Sequence, residues 1–170
     1  PIGLARSIHM RSVDLSEVGN DIVLEPATDV KRIVMKFGGS SLATAERLTY
    51  VARLVQKHVE AGYKPVIVCS ALGKTTNALL AAGDFALGGE ISNDSIRTLH
   101  MATIKQLGLA SNLHLKEDID TLMREMEQLL QGVKYIGELS PRTLDALVSF
   151  GERMSVRIVA ALLNKMGVPA

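Results

Sequence analysis

An α/β fold with parallel strands is the class this sequence predicts, and three observations predict it. Two short apolar runs, residues 33–37 and 66–69, are too brief for helices and are bounded by glycine, proline and serine, as strands are. Between them Leu48, Val51, Ala52, Val55 and Val59 recur at helical spacing, so the order is strand, helix, strand. That order calls for parallel strands, and parallel strands finish at one edge of the sheet. Ligands of open α/β sheets bind beyond that edge, so the residues just after each run are where function is sought.

Bulk composition narrows the function classes. The chain has 170 residues, 47% of them hydrophobic, enough for one substantial core. Its 19 basic and 18 acidic residues are interspersed, so neither a nucleic-acid surface nor a polybasic membrane patch is expected. No apolar run approaches the roughly 18 residues of a membrane helix. Cys69 is the single cysteine, which excludes an internal disulfide and a cysteine metal cluster and fits a reducing compartment; flanked by strand residues, it reads as a buried, inert thiol. His58, His100 and His114 lack the mutual spacing of a metal site and read as satisfied or solvated histidines.

Residues 1–31 show no sustained period and read as a flexible leader. Arg6, His9, Arg11 and Ser12 precede the first acid, Asp14, a composition that overlaps with the tail of an organelle transit peptide as well as with an ordinary terminus. The first strand then runs into Gly38-Gly39-Ser40-Ser41. Lys36 at its end should face an anion or open water, because a lysine is almost never buried without a partner. Two glycines without side chains would let the backbone take positive φ and approach a ligand closely, and the helix signal at Thr44 adds a terminus that favours phosphate. The alternative is a plain strand-to-helix turn with a snorkelling lysine.

Gly62 ends the first helix, and Pro65 opens a continuous apolar strand of the kind covered on both faces. The loop after it, Ser70-Ala71-Leu72-Gly73-Lys74-Thr75-Thr76-Asn77, is rich in small hydroxyl and amide groups suited to a polar substrate. It is also compatible with simple capping of the next helix by Thr76 or Asn77. Gly73-Lys74-Thr75 is not a P-loop, since Val68 stands where the motif needs glycine. Three helices follow, over 78–87, from a cap at residues 93–95 to Gly108, and over 116–131 with a stop at Gly132. Their methionines read as core filler.

Ser140-Pro141 is a helix start, with a cap residue followed by proline at the first helical position. Gly151 then interrupts the pattern at a cost of about 1 kcal/mol relative to alanine, which close backbone approach would explain. A helix restarting near Glu152 would carry Met154, Ile158, Ala161 and Leu162 inward and end at Gly167. Glu152 is then either a first-turn acid favoured by the helix dipole or a ligand for a cationic group.

Lys36-Phe37-Gly38-Gly39-Ser40-Ser41, the Ser70-Ala71 loop with its Thr76-Asn77, and Ser149-Phe150-Gly151-Glu152 with the downstream Leu163-Asn164-Lys165-Met166-Gly167 together resemble the signatures of aspartate kinases, in the amino-acid kinase family. The resemblance spans residues 34–170 and is strongest to the monofunctional plant members. It implies a three-layer, open, mainly parallel sheet of the amino-acid kinase type, of which 32–170 would be the N-terminal part. It implies transfer of the ATP γ-phosphoryl group to the β-carboxylate of L-aspartate, giving 4-phospho-L-aspartate, the first step of lysine, threonine and methionine biosynthesis. Lys36 would neutralise charge on the transferring group, with Gly38, Gly39 and Ser40 on the phosphates. Ser70, Thr76 and Glu152 would hold aspartate, and Mg2+ would accompany the nucleotide. A chloroplast location and a homo-oligomeric full-length protein are implied as well. Val168-Pro169-Ala170 reads as the start of another strand, so this stretch alone is expected to be an inactive, truncated half-sheet. The alternatives are a kinase for acetylglutamate or glutamate, and a non-catalytic module that retains the fold.

Overall fold

The computed structural model describes residues 31–170, so the leader expected over 1–31 lies, Lys31 apart, outside the described residues. Strands β1 (Arg32–Phe37) and β2 (Lys64–Cys69) pair in parallel, from Arg32 opposite Lys64 to Phe37 opposite Cys69. Helix α1 (Ala45–Glu60) joins them, and its Leu48, Val51, Ala52 and Val55 are buried. Thr44 caps it by accepting the Arg47 N–H. Gly62, at φ +83°, turns the chain back toward the sheet.

Four helices complete the fold: α2 (Thr75–Leu87), α3 (Asp94–Gln106), α4 (Leu113–Ile136) and α5 (Pro141–Lys165). Helix α5 packs against α4, α2, α1 and β2, so with α1 it joins the helical layer to the sheet. The methionine stripe of α4 is core, with Met123 and Met126 fully buried. Met154, Ile158, Ala161 and Leu162 of α5 point inward as expected.

Several expectations are corrected. Helix α2 starts at Thr75, ahead of Thr76 and Asn77; its cap position is Lys74, and Thr75 Oγ1 closes the first turn by donating to the Leu72 carbonyl at 2.6 Å. Gly132 does not stop α4, because the next residue, Val133, is buried and the core contact offsets the glycine's cost; the left-handed Gly137 ends it instead. Gly151 does not break α5, which runs unbroken through it. The strands are covered on one face only. Met35 and Cys69 face the helices, while Val34, Val66 and Val68 on the opposite face are 69%, 53% and 46% exposed, no described element lying over them. Residues 168–170 are irregular, tied back through Ala170 N–H to Asn164 Oδ1.

Candidate functional site

The turn after β1 is built by the glycines in a way that differs from the expectation. Gly38 and Gly39 have ordinary backbone angles; the positive-φ glycines lie elsewhere. Gly38 leads into a one-turn 3-10 helix, Gly39–Leu42, closed by the Ser41 N–H donating to the Gly38 carbonyl. The amides of Gly39 and Ser40 are the first of that turn and have no partner within it. What requires glycine at 39 is proximity. A Cβ there would stand 3.0 Å from the Gly73 carbonyl oxygen and 3.1 Å from that of Ala71.

Lys36 is exposed and lies on the uncovered face of the sheet, opposite Val68. Its Nζ is 3.8 Å from where a Cβ on Gly38 would be, so the ammonium folds over the glycine turn. The ion pairs among the described residues are Arg97–Asp120, Arg153–Glu125 and Arg157–Asp118, and none uses Lys36. Positive charge and two free amides therefore share the end of β1.

The loop after β2 sits beside that turn, because the strands are parallel. Ser70 N–H donates to the Phe37 carbonyl at 3.0 Å and Gly73 N–H to the Gly39 carbonyl at 3.2 Å. Helix α5 holds the loop from the other side. Ala71 N–H donates to Glu152 Oε1 at 3.2 Å, and Ser155 Oγ donates to the Ser70 carbonyl at 2.7 Å. Gly151 permits the approach, since a Cβ on it would lie 2.7 Å from Ala71 Cβ and 3.4 Å from Thr75 Cγ2. These bonds consume main chain and Thr75, leaving the Ser70 and Thr76 hydroxyls unengaged among the described residues.

Lys36, Gly38, Gly39 and Ser40 are thus grouped on one turn, and Ser70 and Glu152 on the adjoining loop and helix. Thr76 stands one residue into α2, half-buried. No hydrogen bond or ion pair joins Lys36 to Glu152, so cation and carboxylate remain separate. Such an arrangement can take an anion on the turn and, at the loop, a ligand carrying both hydrogen-bonding and cationic groups. Three residues that sequence reasoning passed over take part: Ser155, Thr75 and Arg47, whose guanidinium donates to the Ser40 carbonyl. Ser155 was open to notice, being a hydroxyl on the inward face one turn after Gly151. The described residues hold no group of three histidine, cysteine or acidic side chains fit for a metal. Burial pushes the Cys69 thiol up, in keeping with an inert cysteine.

A family model described as "Amino acid kinase family" matches residues 31–170. Aspartokinase 1, chloroplastic, of Arabidopsis thaliana is 49% identical over 144 residues, covering 81% of this chain and 24% of that protein. Aspartokinase 2, chloroplastic, of the same plant is 39% identical over 175 residues, covering 98% of this chain and 31% of that one. The crystal structure of aspartate kinase from Synechocystis is similar with a TM-score of 0.49 at 24% identity, over 82% of this chain and 15% of that one. The chain spans a quarter to a third of the length of these plant relatives.

Proposed function

Since the chain belongs to the amino acid kinase family, we propose that the protein carrying it is an aspartate kinase, moving the γ-phosphoryl group of ATP to the β-carboxylate of L-aspartate. One observation carries this reading: the turn after β1 and the loop after β2 are hydrogen-bonded to each other, and Glu152 of α5 reaches the second of them. The plant aspartokinases at 39–49% identity support the choice of substrate. Residues 32–170 then form the N-terminal part of the catalytic domain.

Joining a carboxylate to a triphosphate brings two anions together. Catalysis then consists of positioning and of positive charge, with no covalent intermediate on the protein. Lys36 neutralises charge on the transferring group as the carboxylate oxygen attacks and the bond to the leaving ADP breaks. Gly38, Gly39 and Ser40 bind phosphate oxygens, the free amides of the last two being suited to that. Ser70 and Thr76 offer hydroxyls to aspartate, and the Glu152 carboxylate oxygen not bonded to Ala71 pairs with the substrate ammonium. Mg2+ would enter with the nucleotide's own phosphates, because the described residues offer no ligand set for it, and no step is assigned to it. The names of the plant relatives support a chloroplast location, and a homo-oligomeric full-length protein completes the proposal.

The test is aspartate-dependent acyl phosphate formation with Mg-ATP, trapped as a hydroxamate, on the full-length gene product beside the 170-residue chain. Hydroxamate from the full-length protein is the expected outcome. None with aspartate, but product with acetylglutamate or glutamate, would transfer the assignment to another acyl kinase.

A further inference from the structure

Ser155 is fully buried, yet its hydroxyl does not serve its own helix. It reaches across 85 positions of sequence to donate a 2.7 Å hydrogen bond to the Ser70 carbonyl. On the same helix, Glu152 takes the next N–H of that loop, from Ala71, at 3.2 Å. Gly151, four residues before Ser155 and so on the same face, lets the helix come in close enough for both bonds. Consecutive groups of the loop main chain, a carbonyl and then an N–H, are therefore gripped by one helix face. The Ser70 N–H is meanwhile fixed to β1 through the Phe37 carbonyl.

Building on the function proposed for this site, we infer that Ser155 is the positioning residue of the aspartate side. It fixes the peptide plane after Ser70, and with it the direction in which the Ser70 hydroxyl faces and the seat of Ala71 against Glu152. Without the serine hydroxyl the Ser70 carbonyl would be left without its donor, and the plane would turn to find another. Glu152 would then lose its aligned Ala71 N–H and stand in a changed position for the substrate ammonium. The turn after β1 is reached through a different bond, Gly73 N–H to the Gly39 carbonyl, so the phosphate side should feel the change less.

Steady-state kinetics of the full-length protein with S155A test this, with aspartate and ATP varied in turn. The expected result is a rise of about tenfold in KM for aspartate, the scale of one lost buried hydrogen bond, against a change in KM for ATP of less than about twofold. S155C, which restores volume and a weak donor, should recover part of the loss. A purely packing role would lower kcat in proportion to the folded fraction and leave both KM values unchanged, and that pattern in both variants overturns the inference while the aspartate kinase assignment stands. A parent protein that makes no acyl phosphate from aspartate removes both together.

Discussion

In the function proposed above, Lys36 and Glu152 divide the chemistry between them, and each can be removed separately. Lys36 is exposed, sits over the glycine turn and has no acidic partner among the described residues, so its loss disturbs no ion pair there. Lys36→Ala in the full-length protein is accordingly expected to leave the fold intact and to lower kcat by roughly 10²–10³, the cost typical of deleting one donor to developing charge. Circular dichroism together with turnover decides it, and full activity would refute the role. Glu152 holds the Ala71 N–H and is proposed to pair with the substrate ammonium, and one substitution separates the two. In Glu152→Gln the side-chain oxygen still accepts the Ala71 N–H, while the charge is gone. KM for aspartate should rise more than KM for ATP, and an unchanged aspartate KM would show that Glu152 only holds the loop.

At the scale of elements, two glycines inside helices make opposite predictions. A Cβ on Gly132 of α4 would meet nothing within 4 Å, so Gly132→Ala should stabilise by about 1 kcal/mol through helix propensity alone. A Cβ on Gly151 of α5 would lie 2.7 Å from Ala71 Cβ and 3.3 Å from Leu79 Cδ1, so Gly151→Ala must push the helix off the loop. Thermal melts of the two variants should move in opposite directions, and aspartate turnover should fall only in the second. Sequence reasoning took Gly132 for a helix stop, which it is not, and Gly151 for a site of close backbone approach, which it is. The glycine's cost inside the helical pattern pointed to a close neighbour, but which one, the loop about 80 residues earlier, no local pattern contains. The strand–helix–strand unit was legible because two apolar runs too short for helices flank a helical period, and the inward face of α5 because burial imposes a period of 3.6 on the chain. That Lys36 would be exposed at the end of β1 was legible because a lysine is almost never buried without a partner, whereas the ordinary backbone angles of Gly38 and Gly39 were not. The grip of Ser155 on Ser70 was not, because a serine among apolar residues carries no mark of what it reaches.

Across the whole molecule, one buried histidine sets an acid limit. His100 of α3 is fully buried, with Nδ1 2.7 Å from the Ile96 carbonyl. A carbonyl only accepts, so Nδ1 carries the proton and Nε2 is left as a buried acceptor without a partner. Burial pushes its pKa below the ordinary 6.5, with the hydrogen bond to Ile96 pulling partly the other way. The unfolded chain therefore takes up a proton near 6.5 that the folded chain refuses. Stability is complete above that pH and is lost as pH falls from it toward the depressed folded value, at no more than about 1.4 kcal/mol per unit for one proton. Urea unfolding over roughly pH 8 to 5 should show this slope, and His100→Phe should flatten it by one proton's worth. Equal slopes in the two proteins would assign the acid loss to carboxylates.

The open side of the sheet governs how the 170-residue chain behaves in isolation. Val34, Val66 and Val68 form an apolar patch on the face that no described element covers, and among the described residues each strand has one partner, so both outer edges present peptide groups that no described strand pairs. Beside β2 lies a further apolar hollow of about 490 Å³, lined by Val55, Val59, Ile67, Val159 and Leu163 among others. An exposed patch and free strand edges on one molecule favour pairing with a second, and the nearly balanced net charge of +1 does little to oppose it. Light scattering should therefore report a mass that climbs with concentration. Val66→Lys places a charge in the middle of the patch without touching the helical core. It should hold the chain closer to a monomer at an unchanged helical signal. If Val66→Lys associates as strongly as its parent, the contact runs through the hollow beside β2, and Val156→Lys on the exposed side of α5, which also borders that hollow, becomes the variant that separates the copies.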